Sequence, residues 1–473
     1  MGINTSRRSF LAMSTSLAAM LAACGSKQQS GESTTTQAAA DSGSEGSREQ
    51  IANDTDGGHA IEVSGEQKSY RAVDVTKTGE ADGDEADFYG ENAAVFATEK
   101  ATLELDDVTV TTNGTHANAI FSYGEGTTVN VANSTIETSG NCSGAIMVTG
   151  GGALEATNLT AHTTGNSSAT IRSDRGGGTQ TVKGGTFTTE GTGSPAIYST
   201  AEVKVEDATL TSTASQGVVV EGKNSVALTN CTVHADNNKK NSDKSEWYQA
   251  VMIYQSMSGD AAQGEANFSM KGGSMENANG DVFFVNNTVA TIALEGAQIQ
   301  NNDRGGNLLR AAAAGWGSEG SNGGHVTLRA TGQELAGTML VDEVSTLNLY
   351  LSGGSAFVGA INPEGTAGEV YVEVADGCTW ELTADANIAG LTCGTDAIAL
   401  NGYTLTVGKS AYQEGTASTG EAIEVEVSSS GGPGGAPGDA PGGEPPAKPG
   451  EGGGEPPAKP DGTGGEPPAK PGN

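Results

Sequence analysis

The chain has 473 residues and carries 24 basic against 58 acidic side chains, a formal net charge of -34. A charge of this sign keeps a protein soluble and argues against nucleic acid and anionic lipid surfaces as partners. Length alone suggests several domains of about 150 residues each, but the internal repetition described below overrides that expectation.

The N-terminal segment predicts export. Arg7 and Arg8 precede an apolar, alanine-rich run at 10–23, which is too short to cross a bilayer that needs about 20 apolar residues. The paired arginines resemble the twin-arginine export signal, with a general secretory signal as the alternative. The following Leu-Ala-Ala-Cys resembles the lipobox of bacterial lipoproteins, which implies that 1–23 is removed and that Cys24 carries two acyl chains. We therefore expect a chain anchored by lipid outside the cytoplasm, on the cell surface or the periplasmic face of the membrane.

Two low-complexity segments flank the body of the chain. Residues 24–56 have no periodic apolar pattern, so we predict a disordered polar tether. Residues 429–473 are rich in glycine and proline and repeat Gly-Glu-Pro-Pro-Ala-Lys-Pro three times. This composition favours an extended conformation and cannot bury a core, so we predict a disordered tail, either passively solvated or in contact with a partner.

Between these segments the sequence repeats at intervals of 21 to 33 residues. Each repeat has a short apolar anchor strand, an alternating strand and a third short strand, with glycine or polar residues at the corners. Such a repeat predicts one triangular coil, and stacking of coils buries the inward residues together. The predicted fold class is therefore all-β, a parallel β-helix of about ten or more coils. It covers 91–428 including C-terminal capping coils, after an N-terminal cap at 57–90. The anchors begin at residues 94, 119, 145, 169, 196, 217, 250, 281, 308 and 339.

Several stretches resemble a group of bacterial surface proteins. They include Asn-Ala-Ala-Val-Phe-Ala at 92–97, Ser-Asp-Arg-Gly-Gly-Gly-Thr at 173–179 and Val-Glu-Gly-Lys-Asn-Ser at 220–225, together with 254–260 and 321–326. Those proteins are right-handed, pectin-lyase-like β-helices, often described as adhesins or carbohydrate-binding proteins. The resemblance implies a right-handed helix at the cell surface. For activity it implies little, because this architecture carries lyases, hydrolases and plain binders.

No catalytic residue, metal ligand or cofactor is predicted. The pair Asp106-Asp107 lacks the Gly-His-Gly partner that polygalacturonase-like hydrolases carry. The five histidines have no ligand spacing, and the acidic run at 82–87 fails the EF-hand pattern, so we expect it to be solvated. Pectate-lyase-like chemistry would need calcium-binding aspartates and an arginine base on one face, whereas the two Asp-Arg steps, Asp174-Arg175 and Asp303-Arg304, lie at corners of two different coils.

Inserted loops supply the candidate binding residues. Insertions at 256–265 and 313–324 follow the anchor strand of their coils, and another at 236–248 ends in Trp-Tyr. Insertions on a solenoid collect on its functional edge, and aromatic faces suit sugar rings. The alternative is that each tryptophan packs beneath its own loop. The candidate ligand-binding residues are Trp316, Trp247, Tyr248, Asp174 and Arg175.

Cys378 and Cys393 are close in sequence, and an oxidising exterior would permit a disulfide between them.

The leading functional hypothesis is a non-catalytic, surface-displayed lipoprotein, an adhesin or carbohydrate-binding protein. Its expected partners are glycans or other cell-surface molecules, with membrane contact through the lipid alone and no nucleic acid. The alternatives are a polysaccharide lyase or glycoside hydrolase acting on acidic polysaccharide, and a purely structural envelope component.

Overall fold

The computed structural model describes residues 48–427, apart from 243, 257, 366 and 367. The predicted signal with Arg7 and Arg8, the acylation site Cys24 and the predicted tail at 429–473 lie outside the described residues. In the described part, one short helix, Asp84–Tyr89, accompanies 39 strands, which confirms the all-β fold class. Strand pairing is parallel apart from one small antiparallel pair, Leu405–Val407 with Ser410–Ala411.

The strands form columns, in which each strand pairs in parallel with the equivalent strand of the next coil. The first column is an eleven-stranded sheet, and every predicted anchor overlaps one of its strands. The additional strand, Ile61–Ser64, lies in the range predicted as an N-terminal cap. The first column comprises Ile61–Ser64, Val95–Thr98, Ile120–Tyr123, Ile146–Thr149, Ile171–Ser173, Ile197–Ser199, Val218–Glu221, Gln249–Tyr254, Asp281–Asn286, Leu309–Ala311 and Met339–Val341.

The second column follows the first around each coil and holds the alternating strands of the repeat. Two of its strands are long, because they continue without interruption into the third column. The second column comprises Gln67–Arg71, Thr102–Asp106, Thr128–Ala132, Gly152–Thr163, Gly178–Thr189, Glu202–Glu206, Ser225–Thr229, Glu265–Lys271, Thr288–Glu295, Gly324–Thr331, Thr346–Ser352, Glu369–Val374 and Gly390–Cys393.

The third column closes the triangle. Its first strand, Glu49–Asn53, lies within the range predicted as a tether, and pairs in parallel with Val73–Lys77 of the next coil. The column continues with Thr109–Thr112, Thr135–Thr138, Thr209–Ser212, Thr232–Ala235, Ser274–Asn277 and Gln298–Asn301. Two short sheets complete the C-terminal end: Glu334–Ala336, Ala356–Val358, Thr379–Glu381 and Ile398–Ala399 form one, and Ala386–Ile388, Leu405–Val407 and Ser410–Ala411 form the other.

The core is a continuous stack of inward side chains. In the first column, Ile120, Ile146, Ile171 and Ile197 occupy one register position in successive coils, and all four are fully buried. Each buried isoleucine stabilises the fold by about 1.5–3 kcal/mol relative to an exposed one. Because no coil encloses its own inward residues, this stabilisation depends on the neighbouring coils.

Successive coils leave no room for a side chain at the corner that joins the third column to the first. A Cβ atom on Gly140 would lie 1.8 Å from the carbonyl oxygen of Gly114, and one on Gly165 would lie 1.8 Å from that of Gly140. Serine follows three residues later and bridges the coils: the Ser168 hydroxyl donates to the Gly140 carbonyl at 3.0 Å and accepts the Ser143 N–H at 2.9 Å. Recurring Gly-x-x-Ser therefore fixes the stacking at this corner.

Candidate functional site

The outer face of the first column is covered along much of its length. Phe121, Met147, Arg172 and Phe284 project outward in the register row next to the inward isoleucines, yet all four are buried. The short helix, which we call the lid helix, covers the N-terminal part: Thr149 Oγ1 donates to the Phe88 carbonyl at 2.7 Å. Inserted loops cover the C-terminal part, so two covering units divide this face.

Beneath the lid helix, three side chains with metal-ligand or acid–base chemistry meet. The His116 Nδ1 donates to Asp87 Oδ1 at 3.0 Å, and one donor atom each from Asp87, His116 and Cys142 lie within 4.8 Å of one another. The hydrogen bond to Asp87, helped by the contact with Cys142, raises the pKa of His116 to about 10. Burial opposes ionisation of Asp87, but the hydrogen bond from His116 and the charge of Arg172 hold its pKa below the usual value.

Arg172 joins this group to the corner predicted from sequence. Its side chain is 10% exposed, and its Nη2 lies 3.2 Å from Asp87 Oδ1 and 3.2 Å from Asp174 Oδ2. Its Nη1 donates to the Cys142 carbonyl at 3.1 Å. Burial raises the pKa of Asp174 to about 6, although the charge of Arg172 works against that rise. Asp174, predicted from sequence as a candidate ligand-binding residue, is therefore an internal group.

Arg175 connects the lid helix to the inserted loop at 255–264. Its Nη2 lies 2.7 Å from Asp260 Oδ1, and its guanidinium lies 3.9 Å from the centroid of the Phe88 ring. The ion pair and the cation–π contact hold the two covering units together across the first column. The Arg175 guanidinium is therefore occupied by Asp260 and Phe88, although the sequence predicted it as a candidate ligand-binding group.

A second buried polar group lies on the first column and its corner. Glu221 is 1% exposed, and its Oε2 accepts hydrogen bonds from the hydroxyls of Tyr198 and, at 2.9 Å, Tyr254. Burial, reinforced by these neighbours, raises the pKa of both tyrosines well above the usual value. Both tyrosines therefore remain neutral donors at neutral pH and hold the carboxylate in place.

The two loop tryptophans pack against side chains of the first column. The Trp247 ring lies 5.4 Å from that of Phe284, and the Arg310 guanidinium lies 4.5 Å from the Trp247 centroid. Trp316 meets Tyr254 edge-on at 5.2 Å. Both tryptophans are half-buried, as is Tyr248, whose carbonyl accepts the Asp281 N–H at 2.8 Å.

An open, polar cleft of about 340 Å³ lies between the loops at 236–248 and 312–323. Two glutamates and an amide supply its polar groups, and small residues form the rest of its lining. The lining residues are Glu246, Ala313, Ala314, Gly317, Glu319, Gly320 and Asn322. The cleft, the two tryptophans and the loops around them are called the loop face below.

Cys378 and Cys393, predicted as a candidate disulfide, are both free thiols in the structure. Cys378 directly precedes Thr379–Glu381, whereas Cys393 ends a strand of the second column and places its Sγ 3.7 Å from the Tyr412 hydroxyl. Proximity in sequence is misleading here, because a coil carries residues a dozen positions apart to different columns.

Sequence reasoning missed the group formed by Asp87, His116, Cys142 and Arg172, and expected the acidic run at 82–87 to be solvated. A usable signal was present, because His116 and Cys142 occupy one position of the repeat, in Gly-Thr-His and Gly-Asn-Cys. Aligning the repeats would have stacked these side chains in consecutive coils. Asp87 could not be found in that way, since the lid helix lies outside the repeat.

Comparisons of the chain with protein-family models, curated proteins and solved structures find no match. Among the described residues, no helix combines the length and apolar character needed to cross a membrane.

Proposed function

We propose that the protein is a surface-displayed, lipid-anchored binding protein that recognises glycans at the loop face without catalysing a reaction. The observation that carries this proposal is the polar cleft between the loops at 236–248 and 312–323, on the outer face of a rigid solenoid. Loops positioned by a rigid scaffold are common recognition elements, and insertions on solenoids gather on the binding face. The half-buried edges of Trp247 and Trp316 add apolar surface close to these polar groups.

The charge of the cleft selects the class of glycan. Glu246 and Glu319 supply carboxylates, and the lining includes no basic side chain. Carboxylates accept hydrogen bonds from sugar hydroxyls but repel uronic acids and sulfates. Arg310, whose guanidinium lies over the Trp247 ring, is already paired with Asp281 at 2.6 Å. The proposed ligand is therefore a neutral or amino-substituted glycan.

A glycoside hydrolase is the second candidate, and the convergence of acids beneath the covering units is the observation that favours it. Asp174 and Glu221 both follow or end strands of the first column, two coils apart. A carboxyl group whose pKa is raised to about 6 suits a general acid. Both groups are buried, so this candidate requires the covering units to open before a substrate could reach them.

Replacing Trp316 with alanine is expected to weaken glycan binding about tenfold, a free-energy loss of about 1.4 kcal/mol. The variant loses an aromatic edge beside the cleft and the contact with Tyr254 that orders the loop. Removing a fully buried tryptophan lowers the free energy of unfolding by about 3–5 kcal/mol. Because the Trp316 ring is only half-buried, its removal should lower the free energy of unfolding by less than this. An array of neutral and acidic glycans probed with the full chain identifies the ligand, and titration with thermal melting then compares the variants.

Tyr350→Ala is the matched control, since it removes another half-buried aromatic ring from the second column, against Arg329 and Tyr371. It should bind the same glycan as the unmodified chain. Equal losses of binding in the two variants, or binding restricted to acidic glycans, would contradict the loop-face proposal. Release of new reducing ends from a bound glycan would favour the hydrolase instead.

The anchoring proposal rests on sequence, because its residues precede the described part of the chain. Cys24→Ser is expected to abolish incorporation of radiolabelled fatty acid and to release the exported chain from the membrane fraction, because no thiol remains to be acylated. Replacement of Arg7 and Arg8 by lysine should leave unprocessed precursor in the cytoplasm. Undiminished labelling of the serine variant would refute the anchor, and normal processing of the lysine variant would indicate general secretion.

A further inference from the structure

We propose that Asp87, His116 and Cys142 bind one divalent transition-metal ion of the zinc class, which fastens the lid helix to two successive coils. The three residues offer a carboxylate oxygen, an imidazole nitrogen and a thiolate sulfur, the donor types that zinc accepts in proteins. They come from three separate parts of the chain: the lid helix and the corners of two coils. A single ion would therefore cross-link the lid helix to two successive coils.

The spacing of the donor atoms distinguishes an ion site from a proton relay. Zinc bonds of about 2.0–2.3 Å require all donors of one ion to lie within about 4.6 Å of one another. The donor atoms here lie within 4.8 Å of one another, so a small side-chain adjustment suffices. In a Cys–His–Asp relay, the imidazole and two hydrogen bonds separate sulfur from carboxylate by about 7 Å. The compact triangle is therefore the arrangement of an ion site.

The fold aims two of the donors in the same direction. His116 and Cys142 have nearly identical left-handed backbone conformations, with φ of 53° and 54°, at the same corner of successive coils. A non-glycine residue in this conformation carries an energetic cost, which neighbouring structure must outweigh. The equivalent corner residues of the next two coils are Ser167 and Gly193. Only the coils of His116 and Cys142, among these four, therefore carry a zinc-type ligand at this corner.

Further groups around the triangle fit the role. Arg172 contacts the Asp87 carboxylate at 3.2 Å and the Cys142 carbonyl at 3.1 Å, and so orients two of the ligands from behind. The His116 side chain is 13% exposed and that of Asp87 is 23% exposed, which leaves an entry path for an ion. Asp82 Oδ1 lies 3.7 Å from His116 Nε2, the ring nitrogen that does not contact Asp87, so water rather than Asp82 would complete the fourth position.

The test uses the full chain, freed of metal by chelation and titrated with Co²⁺ and with Zn²⁺. We expect one Co²⁺ per chain, with the near-ultraviolet sulfur-to-cobalt charge-transfer band and the strong visible bands of tetrahedral coordination, both removed by competing Zn²⁺. Cys142→Ser and His116→Gln should each weaken Zn²⁺ binding at least tenfold. His162→Gln is the matched control, since His162 lies 2.9 Å from Glu137 and 3.0 Å from Glu190 with no thiol beside it.

Thiol labelling keeps the proposal testable if a variant fails to fold. Of the cysteines in the described part of the chain, Cys231, Cys378 and Cys393 are buried, so iodoacetamide should modify Cys142 first. Stoichiometric Zn²⁺ should slow that modification at least tenfold, as quantified at the Cys142 peptide by mass spectrometry. An unchanged labelling rate, a cobalt complex without the charge-transfer band, or equal loss of binding in His162→Gln would each overturn the site.

Discussion

Replacing Arg172 with methionine is expected to lower the free energy of unfolding by about 3–5 kcal/mol, the cost of breaking a buried ion pair from one side. Arg172 is buried between two carboxylates, and its removal leaves Asp87 and Asp174 in a poorly solvated space without the guanidinium. Methionine keeps much of the apolar volume, so the loss reports the charge rather than a cavity. Urea unfolding followed by circular dichroism, at neutral pH, measures the change.

Arg329→Met is the matched control, because the same substitution is then made at an exposed arginine that lies over Tyr350. It should change the free energy of unfolding by no more than about 0.5 kcal/mol, as surface substitutions do. If the two variants lose equal amounts of unfolding free energy, the buried ion pairs of Arg172 do not stabilise the fold and the prediction is wrong.

The stability of the Asp174→Asn variant relative to the unmodified chain is expected to rise as pH rises. The pKa of Asp174 is raised from 3.8 to about 6 by burial, so the folded protein binds its proton more tightly than the unfolded chain. The resulting stability is fully present below about pH 4 and is lost as pH rises through 6. Asparagine resembles the neutral acid, so the difference between the variant and the unmodified chain should grow by about 2 kcal/mol between pH 4 and pH 7.

Thermal and urea unfolding at several pH values test this expectation. Glu155→Gln serves as the control, since it neutralises an exposed carboxylate on the second column of the preceding coil. Its effect should vary little across the same range. A difference for Asp174→Asn that stays constant or shrinks with rising pH would contradict the burial-driven shift.

The scaffold was predictable from sequence because each coil repeats one simple pattern. The alternating second-column strands, such as Thr102–Asp106, indicate one buried and one solvated face, and the structure agrees. The anchor strands differ, because Val95 and Phe96 are consecutive and both apolar. Two adjacent apolar residues on a strand require both faces to be covered. The consecutive apolar residues of the anchor strands therefore indicate that the outer face of the first column is covered.

The identity of the cover could not be read in the same way. The lid helix is six residues long, acidic at its start and ends at Gly90 in a left-handed conformation, so it has too few positions to display a periodic pattern. Its docking depends on single contacts, such as Asp87 with Arg172, between residues 85 positions apart. A contact between residues so far apart produces no pattern in a single sequence. Stacking of successive coils does produce one, because each coil repeats the same sequence pattern.

The glycine-lined corner has a consequence for how the chain could change in length. Excising residues 141–165, one whole coil, would place Gly140 directly before Asn166 and leave the Gly-x-x-Ser spacing unbroken. The scaffold would close over the gap, but Ser167 would then occupy the position beside His116 that Cys142 holds. Duplication or loss of a coil therefore leaves the architecture intact where the corner repeats. It disrupts the docking of the lid helix where that helix contacts three successive coils, from His116 to Arg172.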